Sequence, residues 1–164
     1  MFGVSVMSKS KFCWDACIFI AHLTGEQRTP DEANGMREVW ELLRLRRAVV
    51  LTSAIVQSEV LNRAADATHA RDRLRELLAR PSFVVADANL VIADKAGEFR
   101  ERVACSNNGL VLKRNDAIYI ATAVLYGVDA FHTFDTTLLQ LDRSPLIDGL
   151  RITTPRGTQT TLAI

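Results

Sequence analysis

Five short apolar runs, each handing over to a polar or amphipathic stretch, constrain this chain more than any other feature. "KFCW" closes on Asp15, and a second run covers Ala48 to Thr52 in "AVVLTSAIV". "SFVVADAN", "DAFHTF" and "GLRITTP" supply the other three. Between them Met36, Val39, Trp40 and Leu43 recur at helical spacing, as do Leu74, Leu77 and Leu78 in a strongly charged helix that Pro81 ends. "LVIADKAGEFRERVACS" reads as another amphipathic helix, and "NNG" (107–109) as the turn that stops it. "DAIYIATAVLYG" is apolar almost all round, so a buried helix stopped by Gly127 is expected. Strands alternating with helices imply an α/β fold: a parallel sheet of four to five strands covered by helices on both faces.

A chain of 164 residues suits one domain. We expect it over 12–155, with a leader or flexible N-terminus at 1–11, of which residues 1–6 are dispensable, and a tail at 156–164. Lys9 and Lys11 before an apolar run look faintly like a signal peptide. Asp15 interrupts that run, which is also too short to span a membrane. "HLTGEQRTPDEANG" (His22 to Asn34 and Gly35) reads as a polar loop that ends in a helix start. There Thr29 is the N-cap, Pro30 takes the first helical position and Glu32 closes a capping box. Thr52 or Ser53 should cap the next helix, which carries Glu59 and continues toward Ala65.

The composition is that of an ordinary globular protein, and a net charge of +1 excludes a strongly basic nucleic-acid coat but not a local basic patch. Cys13, Cys17 and Cys105 form no CxxC pair and have no zinc spacing with His22, His69 or His132. Three reduced, mostly buried thiols in a cytoplasmic protein are expected.

Four acids stand where a purely structural sequence would prefer apolar residues. Asp15 lies inside the most apolar stretch of the N-terminal third, Glu59 between Ile55 and Val60, Asp116 at the start of the buried helix, and Asp135 just past the fourth strand. In an open α/β sheet ligands bind beyond the carboxyl ends of the strands, where strand order reverses. Asp15 and Asp135 follow strands directly and Glu59 sits two turns into a helix from the same edge. Gathered carboxylates repel unless protonated or neutralised by cations. An all-oxygen set points to Mg²⁺ or Mn²⁺, which suits phosphodiester hydrolysis. Thr133 can hold a carboxylate or a water through its hydroxyl. Each acid also has a purely structural reading: Asp116 complementing a helix N-terminus, Asp135 capping a helix, Glu59 half-exposed.

The acids and their settings, "CWDACIFI", "SAIVQSEVLNR", "KRNDAIYIATAVLYG" and "FHTFDTTLL", resemble the PIN-domain ribonucleases. In size and layout the chain resembles the VapC-type toxins of bacterial and archaeal toxin–antitoxin pairs, over about Phe12 to Pro155. The resemblance implies a PIN-like three-layer sandwich and metal-dependent endonucleolytic cleavage of RNA. It implies that Asp15, Glu59, Asp116 and Asp135 bind Mg²⁺ or Mn²⁺, with Thr133 as supporting hydroxyl. It also implies a homodimer and a small antitoxin inserting near the site. The chain departs from the pattern in its 22–34 segment, at Ala16 where Ser or Thr is frequent, and at Leu139 where an aromatic is frequent.

Lys113 and Arg114, beside Asp116, are candidates for RNA phosphate contact, ahead of Arg44, Arg46 and Arg47. Trp14 could stack a base but is better placed for the core. Two other readings compete. A phosphatase-like domain would use Asp87 or Asp15 as nucleophile, although "WDACI" lacks an acidic pair. A non-catalytic PIN-like RNA-binding or protein-interaction module would be marked by a missing acid, and none is missing.

Overall fold

The computed structural model describes residues 8–63 and 67–157. The leader at 1–6, the continuation toward Ala65 and residues 158–164 of the tail lie outside them. Five strands form one parallel sheet: β1 (Ser10–Trp14), β2 (Ala48–Ser53), β3 (Phe83–Ala86), β4 (Ala130–His132) and β5 (Ile152–Thr153). Their order is β3-β2-β1-β4-β5. The chain therefore builds outward from β1 in one direction, then returns to start β4 on its other side, and the switch point falls between β1 and β4. β1 begins two residues ahead of the expected domain start, because Ser10 and Lys11 pair with Ala48 and Val49.

Alternation along β1 assigns the two faces. Phe12 and Trp14 point to one side, where Trp14 meets Phe19 of α1 (Ala16–Thr24) and Trp40 of α2 (Pro30–Arg44) edge to face at 5.5 and 5.7 Å. Cys13 points to the other, its thiol 3.9 Å from the Tyr119 carbonyl of α6 (Arg114–Leu125). Helix α5 (Leu90–Cys105) packs on α6. Helices α3 (Val56–Arg63) and α4 (Ala67–Leu78) pack against α1, and a short α7 (Thr136–Leu139) follows β4. The sheet is thus covered on both faces, as the sequence implied.

Several local signals are realised in full. Thr29 caps α2 with Glu32 closing the box, and Val39 and Leu43 are buried on its inner face. Leu74 and Leu77 are buried, and Leu78 packs partly beneath them. Two expectations need correction. The expected 22–34 loop is only 25–29, because α1 continues to Thr24 and stops at Gly25, whose φ of 67° is glycine's own territory. Thr52 and Ser53 do not cap α3: both are strand residues, and the Thr52 hydroxyl donates 2.9 Å to the Trp14 carbonyl, tying β2 to β1. Trp14 is fully buried and belongs to the core, so it stacks no base.

The segment after β5 crosses α2 at Gly35. A Cβ at Gly35 would sit 1.8 Å from the Pro155 carbonyl oxygen, and the Gly157 amide donates 3.0 Å to Glu38. Gly35→Ala should therefore lower stability by about 1–3 kcal/mol, despite alanine's better helix propensity, because the obstacle is backbone. Urea denaturation of the two proteins checks this: an unchanged or higher midpoint would contradict the close approach.

Candidate active site

The carboxyl ends of β1 and β4 carry the central pair of groups. Asp15 follows β1 as the N-cap of α1, its Oδ1 accepting from the amides of Cys17 at 3.1 Å and Ile18 at 3.4 Å. The same oxygen accepts from the Cys17 thiol at 2.7 Å. Thr133, next after β4, donates its hydroxyl to Asp15 Oδ2 at 2.6 Å and accepts the Asp135 amide at 2.9 Å. One hydroxyl thus ties the first acid to the backbone of the last across the switch point. The structural reading of Asp135 is also true: it caps α7, accepting from the Thr137 amide at 2.8 Å. That leaves its other oxygen for the cleft.

Glu59 and Asp116 arrive from helices. Glu59 is half-buried on α3, and the Asn115 carboxamide donates to its Oε1 at 3.0 Å. Asp116 is half-buried in the first turn of α6. All four acids line one cleft of about 370 Å³, together with Lys113, Arg114 and Asn115. The structure thus brings together Asp15, Glu59, Asp116 and Asp135, as well as both preferred basic candidates. Arg44 closes α2, Arg46 and Arg47 lie between α2 and the start of β2, at the opposite edge of the sheet, and Arg44 pairs with Glu41. Asp87 is exposed after β3 and does not line the cleft.

Three cleft residues escaped the sequence reading. Arg100 looks like one more charge on an amphipathic helix, and only the packing of α5 on α6 brings it to the rim. Tyr119 reads as core; its hydroxyl is buried, and burial, then the neighbouring Glu59 carboxylate, keep it protonated. Cys17, expected as an inert thiol, lines the cleft and also accepts the Phe134 amide at 3.2 Å. Its thiol pKa is pushed far up by burial and by Asp15, so it remains a hydrogen-bond donor rather than a nucleophile. Cys105 is exposed rather than buried, and Cys13 is buried.

Electrostatics disfavour the charged form of Asp15. Burial, with a further push from Asp116, raises its pKa to about 6 against the pull of hydrogen bonds from Cys17, Thr133 and Ile18. A dication would relieve this crowding. Among the described residues no three His, Cys, Asp or Glu side chains form a ready-made metal cage. Mg²⁺ does not ask for one: it keeps several waters and takes one or two carboxylates, so an open all-oxygen cleft fits it. No helix among the described residues is long and apolar enough to cross a membrane.

Comparison with solved structures gives the same fold. The chain is similar to a crystal structure of VapBC2 from Rickettsia felis bound to a DNA fragment from their promoter, with a TM-score of 0.64 and 15% identity over 88% of this chain and 98% of that one. It is also similar to VapC20 of Mycobacterium tuberculosis, described as a sarcin-ricin loop cleaving toxin, with a TM-score of 0.57 and 15% identity over 79% and 94%. No curated protein matches it in sequence. The PIN domain model matches residues 12–144, from the middle of β1 to beyond α7, and by that match the chain belongs to the PIN-domain family.

Proposed function

We propose that this protein is a metal-dependent endoribonuclease, the toxin of a type II toxin–antitoxin pair. The observation that carries the reading is the meeting of Asp15, Glu59, Asp116 and Asp135 in one cleft whose rim is cationic. Asp15, Glu59, Asp116 and Asp135 would hold Mg²⁺ or Mn²⁺. When bound, the ion supplies Lewis acidity toward a phosphoryl oxygen and a water activated near neutral pH. Thr133 fixes the Asp15 carboxylate through Oδ2 and Cys17 fixes it through Oδ1. Asn115 fixes Glu59 through Oε1. Lys113, Arg114 and Arg100 neutralise the phosphates that flank the bond to be cut.

The two similar structures support an antitoxin partner and an RNA substrate as parts of this reading. A homodimer and a cytoplasmic location complete it. An apolar groove of about 440 Å³ between α1 and α2, containing Met36, Trp40 and Phe134 with Arg28 stacked 3.9 Å over the Phe134 ring, suits a docked antitoxin segment.

The test is cleavage of single-stranded and structured RNAs with Mg²⁺ or Mn²⁺, with EDTA, and with Asp15→Asn. Metal-dependent cuts absent from the variant support the nuclease. RNA binding without cuts under any condition would favour the non-catalytic module. Within the same assay Thr133→Val should cost about 10- to 100-fold in kcat/KM, the usual loss when a partner of a metal-binding carboxylate is removed. A Thr133→Val enzyme as active as the parent would exclude the hydroxyl from the machinery.

A further inference from the structure

Beside the acidic cleft lies a second recess of about 510 Å³, lined by Arg100, Val103, Ala104, Asn107, Leu110 and Val111 among others. Its shape follows from how α5 ends. After Cys105 the chain reverses through Asn107 and Gly109, both at positive φ (55° and 73°), with the Leu110 amide donating 3.0 Å to the Asn108 carboxamide oxygen. This turn lays Leu110 to Leu112 back along the last turns of α5. Arg100 pins the returning segment by donating its Nε–H to the Leu112 carbonyl at 3.3 Å. Arg100 lines both the recess and the acidic cleft, so the two share one cationic side chain as a wall.

The recess asks for a ligand that is apolar in body and anionic at one end. Its walls are aliphatic, and Val111 stands 75% exposed on its lip. Among the described residues no carboxylate lines it, while Arg100, Lys113 and Arg114 stand on the side facing the cleft. The Asn107 carboxamide is exposed at its edge and makes no hydrogen bond among the described residues. Nothing in the acid chemistry uses Asn107, Leu110 or Val111.

We propose that this recess receives a nucleobase of single-stranded RNA flanking the cleaved phosphate, which makes it a specificity site; the proposal rests on the ribonuclease reading. Unpaired bases can leave the stack, lie against apolar side chains or a guanidinium plane, and present their edges to an amide. Arg100 contacts the phosphate joining that nucleotide to the scissile one, and the Asn107 amide reads the base edge. A duplex cannot deliver a base there without melting, so single-stranded segments are the preferred substrate.

The experiment is cleavage of a random-sequence RNA pool by the full chain with Mn²⁺, with the new ends sequenced. It is paired with a defined oligonucleotide carrying an abasic nucleotide at each flanking position in turn. Ala104→Trp fills the recess from the exposed face of α5, and Asn107→Gly removes the carboxamide while easing its positive φ. We expect a base preference at one flanking position, a loss of about tenfold in kcat/KM when that nucleotide is abasic, and flattening of the preference in both variants. Cutting by wild type that is indifferent to abasic sites, or variants that keep the parent's preference, would overturn the recess and leave the nuclease standing. A change confined to oligomeric state would also overturn it, by marking the recess as a protein contact. No cutting by wild type would bring down both readings together.

Discussion

Replacing Asp15 by Asn should lower RNA cleavage by more than about 100-fold and leave the folded protein at least as stable as its parent. The activity loss follows from removing a carboxylate at the centre of the site, where deleting even one neutral donor to a transition state costs about that much. The gain in stability follows from burial. With a folded pKa near 6 against an ordinary 3.8, the Asp15 charge is disfavoured in the fold. A raised pKa contributes stability at low pH that is lost as pH rises through about 6. At neutral pH without a bound dication the charged group therefore costs up to about 3 kcal/mol. Asn keeps an oxygen to cap α1 and removes the charge. Thermal denaturation in EDTA at neutral pH measures this, and an unfolded Asp15→Asn protein would mean that the acid is structural. Asp116→Asn should behave alike in activity and also lower the Asp15 pKa, since the Asp116 charge is one of its causes.

The second large effect belongs to His132. Its Nδ1 accepts the Trp14 indole N–H at 3.1 Å, which places the ring proton on Nε2. Nε2 is buried with no partner among the described residues, and the ring lies 4.5 Å over Phe12. Burial, with Arg151 and Arg156 adding to it, lowers the pKa from 6.5 to about 3. A lowered pKa on a base means that the unfolded chain takes up its proton first. Stability is therefore lost as pH falls from about 6.5 toward 3, by up to about 5 kcal/mol at the acid end. Asp15 acts with the opposite sign between about 6 and 3.8, so wild type should be nearly level there and fall below it. In Asp15→Asn the His132 slope should be uncovered from pH 6.5 downward, with His22, whose pKa burial also lowers, adding in the same direction. Adding His132→Asn, whose side-chain oxygen can still accept the indole proton, should remove most of that slope and leave the His22 part. Melting temperature against pH in the single and double variants tests this, and identical slopes would clear His132 of the effect.

What the sequence made legible, and what it hid, divides along a physical line. Asp15 and Asp135 were visible because a charge at the end of a buried strand is anomalous at short range, and Thr29-Pro30-Glu32 was visible because capping chemistry is local. Glu59 was visible from its apolar neighbours, but its partner Asn115, 56 residues away, was not. Arg100 was hidden because an arginine on the outer face of an amphipathic helix looks the same whether it meets solvent or a cleft. Ser53 misled because a short polar residue after an apolar run suits a helix cap, whereas here it is the last residue of β2.

The pairing of β1 with β4 has a consequence for how the chain matures. Trp14 stands beside His132, and the Asp15–Thr133 bond spans 118 residues of sequence. Closing so long a loop is costly in chain entropy, and parallel pairing at that separation is slow to nucleate. A polypeptide emerging in order from its N-terminus can assemble β1, β2 and β3 early, yet has no cleft until β4 slots in next to β1. The step that joins β4 to the earlier strands is therefore the same step that arms the site, and shorter nascent chains are catalytically silent.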